Sequence, residues 1–224
     1  MIFNAASLAL SQLFSPSFRT VLWKSLGLTI AMLIGLWFAF DMAYSAFLLP
    51  MLGVNSWIAS ALSWIFGAGL VLGLGFLIAP VTSIFGGFFI DDIADAVEQK
   101  HYPNDPAGQP LPGPKAAILS LKFTILVIST NILALLLLLV PGVNLIVFYV
   151  ANGYLLGREY FQFAALRFMS PKDADALRHQ ARGTVFVGGL LITGFLSIPL
   201  LNLLTPLFAA AMMTHIFKGL ERKY

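Results

Sequence analysis

The sequence predicts an all-α membrane protein: two long transmembrane helices, two hemi-penetrating helical hairpins, and amphipathic helices at the interface. Three observations carry this. Of 224 residues, 59% are hydrophobic. Only 10% are charged, against roughly a quarter in soluble domains, and the mean hydropathy is +0.89. Residues 25–40, 42–90, 123–157 and 183–217 contain no Lys, Arg, Asp or Glu, and a spanning helix needs about 20 apolar residues. These features exclude a soluble globular chain and a disordered one. The runs are long and continuous, so they do not resemble the short alternating segments of a transmembrane barrel.

The chain reads as a single integral membrane domain over 1–224. Residues 1–14 place Ile2, Phe3, Ala6, Ala9, Leu10, Leu13 and Phe14 on one helical face and Asn4, Ser7 and Ser11 on the other. That pattern fits a short helix lying in the membrane interface, or a tail packed on the protein. Ser15-Pro16-Ser17 is a helix start, with Ser15 as N-cap and Pro16 at the first helical position. The first long helix is expected over 16–48. Pro50 to Ser56 reads as a turn, and the second long helix is expected over 56–99, with Trp57 and Trp64 anchoring it at an interface. Within it, Gly69 and Gly73 allow close backbone approach, and Pro80 is a candidate kink.

Residues 101–115 hold Pro103, Pro106, Pro110, Pro112 and Pro114 and read as an irregular cytoplasmic loop. Hairpin one is expected over 116–157, an interfacial segment over 158–182, and hairpin two over 183–217. Each hairpin is broken by a proline inside a matching string, Pro141-Gly-Val-Asn144-Leu145 and Pro199-Leu-Leu-Asn202-Leu203. This suggests an internal pseudo-repeat. At about 1.5 Å per residue, residues 123–140 make about 27 Å of helix, 183–198 about 24 Å and 206–217 about 18 Å, against a hydrocarbon core about 30 Å thick. The last arm is too short to cross unaided, which favours hairpins that enter the membrane and turn back. Ser170-Pro171-Lys172-Asp173 in the interfacial segment is a further helix start.

With two full spans and two returning hairpins, the Lys and Arg residues fall on one side, which the positive-inside rule makes cytoplasmic, together with both termini. The net charge of +3 is then a property of that face and calls for no nucleic acid. No charged segment precedes Arg19, so the first membrane helix is expected to direct insertion. There is no cysteine, which excludes disulfides and thiolate chemistry. His101, His179 and His215 lack metal-ligand spacing, and no Walker-type phosphate loop occurs. Neither an enzyme nor a cofactor is expected.

Candidate functional residues follow from the same reading. The start of the first long helix offers the unpaired N–H groups of Ser17 and Phe18 beside the Arg19 guanidinium, a donor set suited to a tetrahedral oxyanion. Headgroup contact by Arg19 and Lys24 is the alternative. Asn144 and Asn202 sit at the expected hairpin tips and either line a pathway or cap a broken helix. Arg158 and Glu159 form either a charge pair at a cytoplasmic mouth or a surface pair. Asp91 and Asp92 read as a solvated face.

The chain resembles the CysZ sulfate permeases of the bacterial inner membrane. The resemblance runs from the Ser-Pro-Ser-Phe-Arg turn through Ile78-Ala79-Pro80 and Val140-Pro141-Gly142 to Ser197-Ile198-Pro199-Leu200-Leu201-Asn202-Leu203. It implies two transmembrane helices and two half-inserted hairpins assembled as a homo-oligomer among membrane lipids. It also implies sulfate uptake that feeds cysteine synthesis, and a sulfate site on a Pro-Gly-Leu/Ile-Arg-Arg turn at the first long helix. Here that turn reads Pro16-Ser17-Phe18-Arg19-Thr20, so one guanidinium carries over and the second position is Thr20. The family is related to eukaryotic endoplasmic-reticulum proteins with roles outside sulfate uptake. A non-transport role in membrane shaping, lipid handling or assembly is therefore the competing expectation.

Overall fold

The structure, a computed structural model, describes residues 1–110, 144–198 and 201–223. Its regular elements among these residues are helices, joined by short turns and by an irregular stretch over 102–110. Helix α1 spans Ile2–Gln12, α2 Pro16–Ala43, α3 Ser56–Phe88, α4 Ile90–His101, α5 Asn144–Leu166, α6 Pro171–Gln180, α7 Arg182–Leu196 and α8 Thr205–Glu221.

Two long helices form an outlying hairpin. At about 1.5 Å per residue, α2 is about 42 Å long and α3 about 50 Å, more than the apolar thickness of a bilayer. Only 11% of the most apolar stretch of the first and 6% of that of the second are buried within the chain. Trp23, Phe38, Trp57, Trp64 and Leu72 all face outward. Along the seam Leu33, Leu74 and Val81 pack together, and the Thr82 hydroxyl donates to Thr29 at 3.0 Å. Near the far end the Tyr44 and Phe66 rings stack at 4.1 Å.

The boundaries of these helices differ from the sequence reading. Helical structure after α2 continues through a π-helical turn at Tyr44–Leu48 and one α-turn at Leu49–Met51. Pro50 is the second residue of that α-turn and lies inside the helical run, not beyond its end. The chain reverses instead at Leu52–Asn55, with Gly53 at φ +56°. The second long helix is not continuous to Gln99. It passes through Pro80 and breaks at Phe89, whose φ/ψ of −106°/16° follow the weak helix formers Gly86 and Gly87.

The core is organised around α8. Leu207 to Phe217 are buried without interruption, and 83% of the most apolar stretch of Leu201–Glu221 lies inside the protein. Helices α1, α4, α5 and α7 surround it. Ala5 and Ala9 of α1, Ile93 and Val97 of α4, and Phe161 of α5 supply the facing side chains. The last arm is also longer than its charge-free run. It is helical to Glu221 because Lys218 is buried under the Phe168 ring, 3.7 Å from its centroid, and is paired with Asp105 and Glu221. Leu201–Glu221 is long and apolar enough to cross a membrane, which corrects the expectation that this arm is too short.

Helices α5 and α7 approach closely. A Cβ on Gly157 would fall 2.5 Å from the Val185 carbonyl oxygen, and one on Gly189 would overlap the Gly153 carbonyl. Helix α5 runs unbroken from Asn144 to Leu166, so Arg158 and Glu159 lie within it and not in a separate interfacial segment. The polar helix α6 begins where expected: Ser170 Oγ accepts from the Asp173 N–H at 3.3 Å and donates to its carboxylate at 2.6 Å. Most of hairpin one, with Pro141, lies outside the described residues.

Candidate anion site and the charged cluster behind it

The turn between α1 and α2 opens onto a cavity of about 620 Å³ lined by Gln12, Ser15, Ser17, Phe18, Asp92 and Lys100, among others. Pro16 occupies the first helical position and has no N–H to satisfy. The Ser15 side chain makes no capping bond, contrary to the role its position suggests. The N–H groups of Ser17 and Phe18 are the donors an α-helix leaves unpaired at its start. That of Arg19 is already spent on the Ser15 carbonyl at 3.0 Å. The Phe18 ring is fully buried, which fixes the turn against the core, while the Ser17 and Arg19 side chains are exposed. The Thr20 hydroxyl is turned back onto the Pro16 carbonyl at 2.9 Å and does not replace a second guanidinium. Asp92 and Asp95 border the same cavity, so any anion here also meets carboxylates.

Behind Asp95 stands a residue the sequence reading passed over. Arg167 follows the last residue of α5, and its side chain is only 2% exposed. It pairs with Asp91, Asp95 and Glu98, the last at 3.0 Å. These acids recur at intervals of four and three on α4 and so share one helix face. Asp91 therefore meets a cation, while Asp92 is exposed. Burial pulls the Arg167 pKa down, but the Glu98 hydrogen bond and the three carboxylate charges outweigh it, so the pKa is raised. The same group holds the start of the proline-rich loop. Gly108 N–H donates to Glu98 at 2.9 Å, and Gln109 N–H to the Arg167 carbonyl at 2.9 Å. Asp105 of that loop reaches Lys218 at 3.4 Å and Arg222 at 3.3 Å.

Two histidines that are isolated in sequence meet here. The His101 and His215 rings lie edge to face at 5.0 Å. His215 Nε2 is 3.2 Å from Gln12 Oε1, an acceptor, so Nε2 carries the proton and Nδ1 accepts from the Tyr102 hydroxyl at 2.8 Å. This ties α1, α4 and α8 together.

The remaining candidates are dispersed. Asn144 is the first residue of α5, and Asn202 lies in the 3₁₀ turn Leu201–Leu204, its N–H bonded to the Ile198 carbonyl at 3.1 Å. Arg158 and Glu159 are successive on a helix and diverge. No ion pair joins them among the described residues. Arg158 lines a different pocket, beside Arg178 and Arg182.

None of the curated proteins matches this chain. A family model described as sulfate transporter CysZ/etoposide-induced protein 2.4 matches residues 5–206. That span takes in the helix-start turn, the α2–α3 hairpin, the Arg167 cluster and the turn into α8, and so the chain belongs to the sulfate transporter CysZ/etoposide-induced protein 2.4 family.

Proposed function

We propose that this membrane protein passes sulfate, or a related tetrahedral oxyanion, across the bacterial inner membrane into the cytoplasm for sulfur assimilation. The family membership supports this reading. The observation that carries it to residues is the start of α2, where Ser17 and Phe18, with their helix-start N–H groups, line a cavity, and the exposed Arg19 follows next in sequence, outside that lining.

In this reading Ser17, Phe18 and Arg19 bind the anion. Asn144 and Asn202 border the path, with Arg158 and Glu159 as charged groups at its mouth. The termini and the charged cluster around Arg167 face the cytoplasm, and several copies assemble among the lipids to enclose the path. A binding site on the cytoplasmic side serves exit or regulation and not first capture.

Uptake of radiolabelled sulfate into proteoliposomes tests the transport step, with accumulation above protein-free vesicles as the expected result. Equal counts in both would sink it. Arg19→Ala is expected to weaken sulfate binding about tenfold, in keeping with about 1.5 kcal/mol for a charge-assisted hydrogen bond. Unchanged binding in that variant would remove the site from the proposal while leaving transport standing.

A further inference from the structure

A second basic site lies away from the helix-start cavity. Arg158 of α5, Arg178 of α6 and Arg182 at the start of α7 line a pocket of about 340 Å³. Among the described residues, the carboxylate paired with these guanidiniums is Asp175. Asp175 accepts from Arg178 Nη2 at 2.6 Å, and this bond, then the charges of Arg178, His179 and Arg158, hold its carboxyl below the usual range despite burial. His179 also contacts Arg178, with Nε2 at 3.0 Å. Arg158 and Arg182 make no ion pair among the described residues. Arg178 is 10% exposed along its side chain, and its buried Nε has no hydrogen-bond partner. A buried donor left in that state is a standing cost.

The pocket also admits a ligand close to backbone. Gly183, second residue of α7, lines it, and a Cβ built there would meet nothing within 4 Å. The N–H groups of the α7 start add their dipole to the three guanidiniums.

The rest of the lining is apolar: Tyr154, Val185 and Phe186. Tyr154 is 43% exposed and Val150, one turn along α5, is 49% exposed, while Phe186 of α7 lines the pocket and Leu190, one turn further on, lies against Gly153, both partly exposed. A cationic pocket thus continues into an uncovered apolar strip between α5 and α7. A free inorganic oxyanion has no use for such a strip, whereas a lipid has a phosphate for the pocket and a chain for the strip.

We propose that Arg158, Arg178 and Arg182 bind the phosphate of an anionic phospholipid, whose acyl chain lies along Tyr154, Val150 and Phe186. The site shares Arg158 with the proposed mouth of the path but none of the helix-start residues, and it holds whether or not Arg19 binds an anion. Ligands that bind only the folded state stabilise it. In detergent, phosphatidylglycerol is therefore expected to raise the melting temperature of the full-length protein by several degrees, and phosphatidylcholine is not. In Arg158→Gln/Arg182→Gln that rise is expected to fall by more than half, whereas Arg19→Ala keeps it. Both substituted side chains lack an ion pair, and Arg182→Gln alone provides a milder variant if the double one folds poorly. Native mass spectrometry is expected to show phosphatidylglycerol bound to the parent protein and depleted on Arg182→Gln. No rise in the parent protein, a full rise in the double variant, or an arginine-dependent rise with inorganic sulfate that phosphatidylglycerol does not add to would each overturn the assignment.

Discussion

Arg167 holds three carboxylates at once and is nearly sealed from solvent. Removing one partner of a buried pair costs about 3–5 kcal/mol, because the remaining charge stays buried. Asp91 and Asp95 are 42% and 48% exposed and can turn to water, whereas Glu98 at 8% cannot. Arg167→Met is therefore expected near the lower end, about 3 kcal/mol. Arg167→Met/Glu98→Gln should recover part of the loss, as read by denaturation in detergent. A double variant no more stable than Arg167→Met would show that Glu98 is not the stranded charge. At this scale sequence reading had a clear limit. The helix start at Ser15–Arg19 is local, and its residue types identify it. Arg167 is 69 residues from Glu98, and only the chain's path joins them. A usable signal did exist, since Asp91, Asp95 and Glu98 share one face of a helix and leave a charged stripe that needs a partner.

Among the elements, α5 and α7 make the tightest contact. The glycines at 153, 157 and 189 let backbone lie against backbone, as small residues do between helices in membranes. At 157 and 189 a methyl group meets backbone and has no flexible side chain to displace, whereas at 153 it meets the Leu190 side chain. Gly189→Ala is expected to destabilise by about 3 kcal/mol, the upper part of the usual overpacking cost, measured as a lower unfolding midpoint. An unchanged midpoint would mean that the helices move apart freely. Gly69 and Gly73 of α3 meet nothing within 4 Å among the described residues, so their spacing, though formally similar, serves no contact there. The same physics explains where helix ends were legible. Prolines at first positions, Pro16 and Pro171, mark true starts. The Phe89 break and the continuation of α8 past Lys218 were hidden, because one rests on weak propensity and the other on burying a charge under an aromatic ring.

At the scale of the molecule, the described residues form two unlike halves. Around α8 the chain covers itself, whereas α2 and α3 bury little except a narrow seam. Composition revealed the membrane character of both, since neither half carries charge through its apolar runs. It did not reveal the division, because hydropathy does not distinguish a helix wrapped in protein from one wrapped in lipid. An outlying pair of helices encloses nothing by itself. A transport path across the membrane therefore calls for several copies whose α2–α3 hairpins meet, and we propose that they do so. Light scattering of the detergent-solubilised protein, corrected for bound detergent, is expected to give a mass that is a multiple of 24.3 kDa. A single-chain mass together with sulfate uptake would contradict this arrangement.

The central place of α8 also bears on how the protein is made. Ribosomes deliver α1, α4, α5 and α7 before the helix they surround. Until Thr205–Glu221 emerges, Ala5, Ile93, Val97 and Phe161 lack the central helix on which they converge. The α2–α3 hairpin needs no such wait, since its own seam is complete once Val81 and Thr82 are in place. Insertion of the outlying hairpin can therefore run ahead of synthesis, while consolidation of the other half is deferred to its last helix. Nascent chains stalled before that helix would be inserted but unfinished, and open to membrane proteases and chaperones.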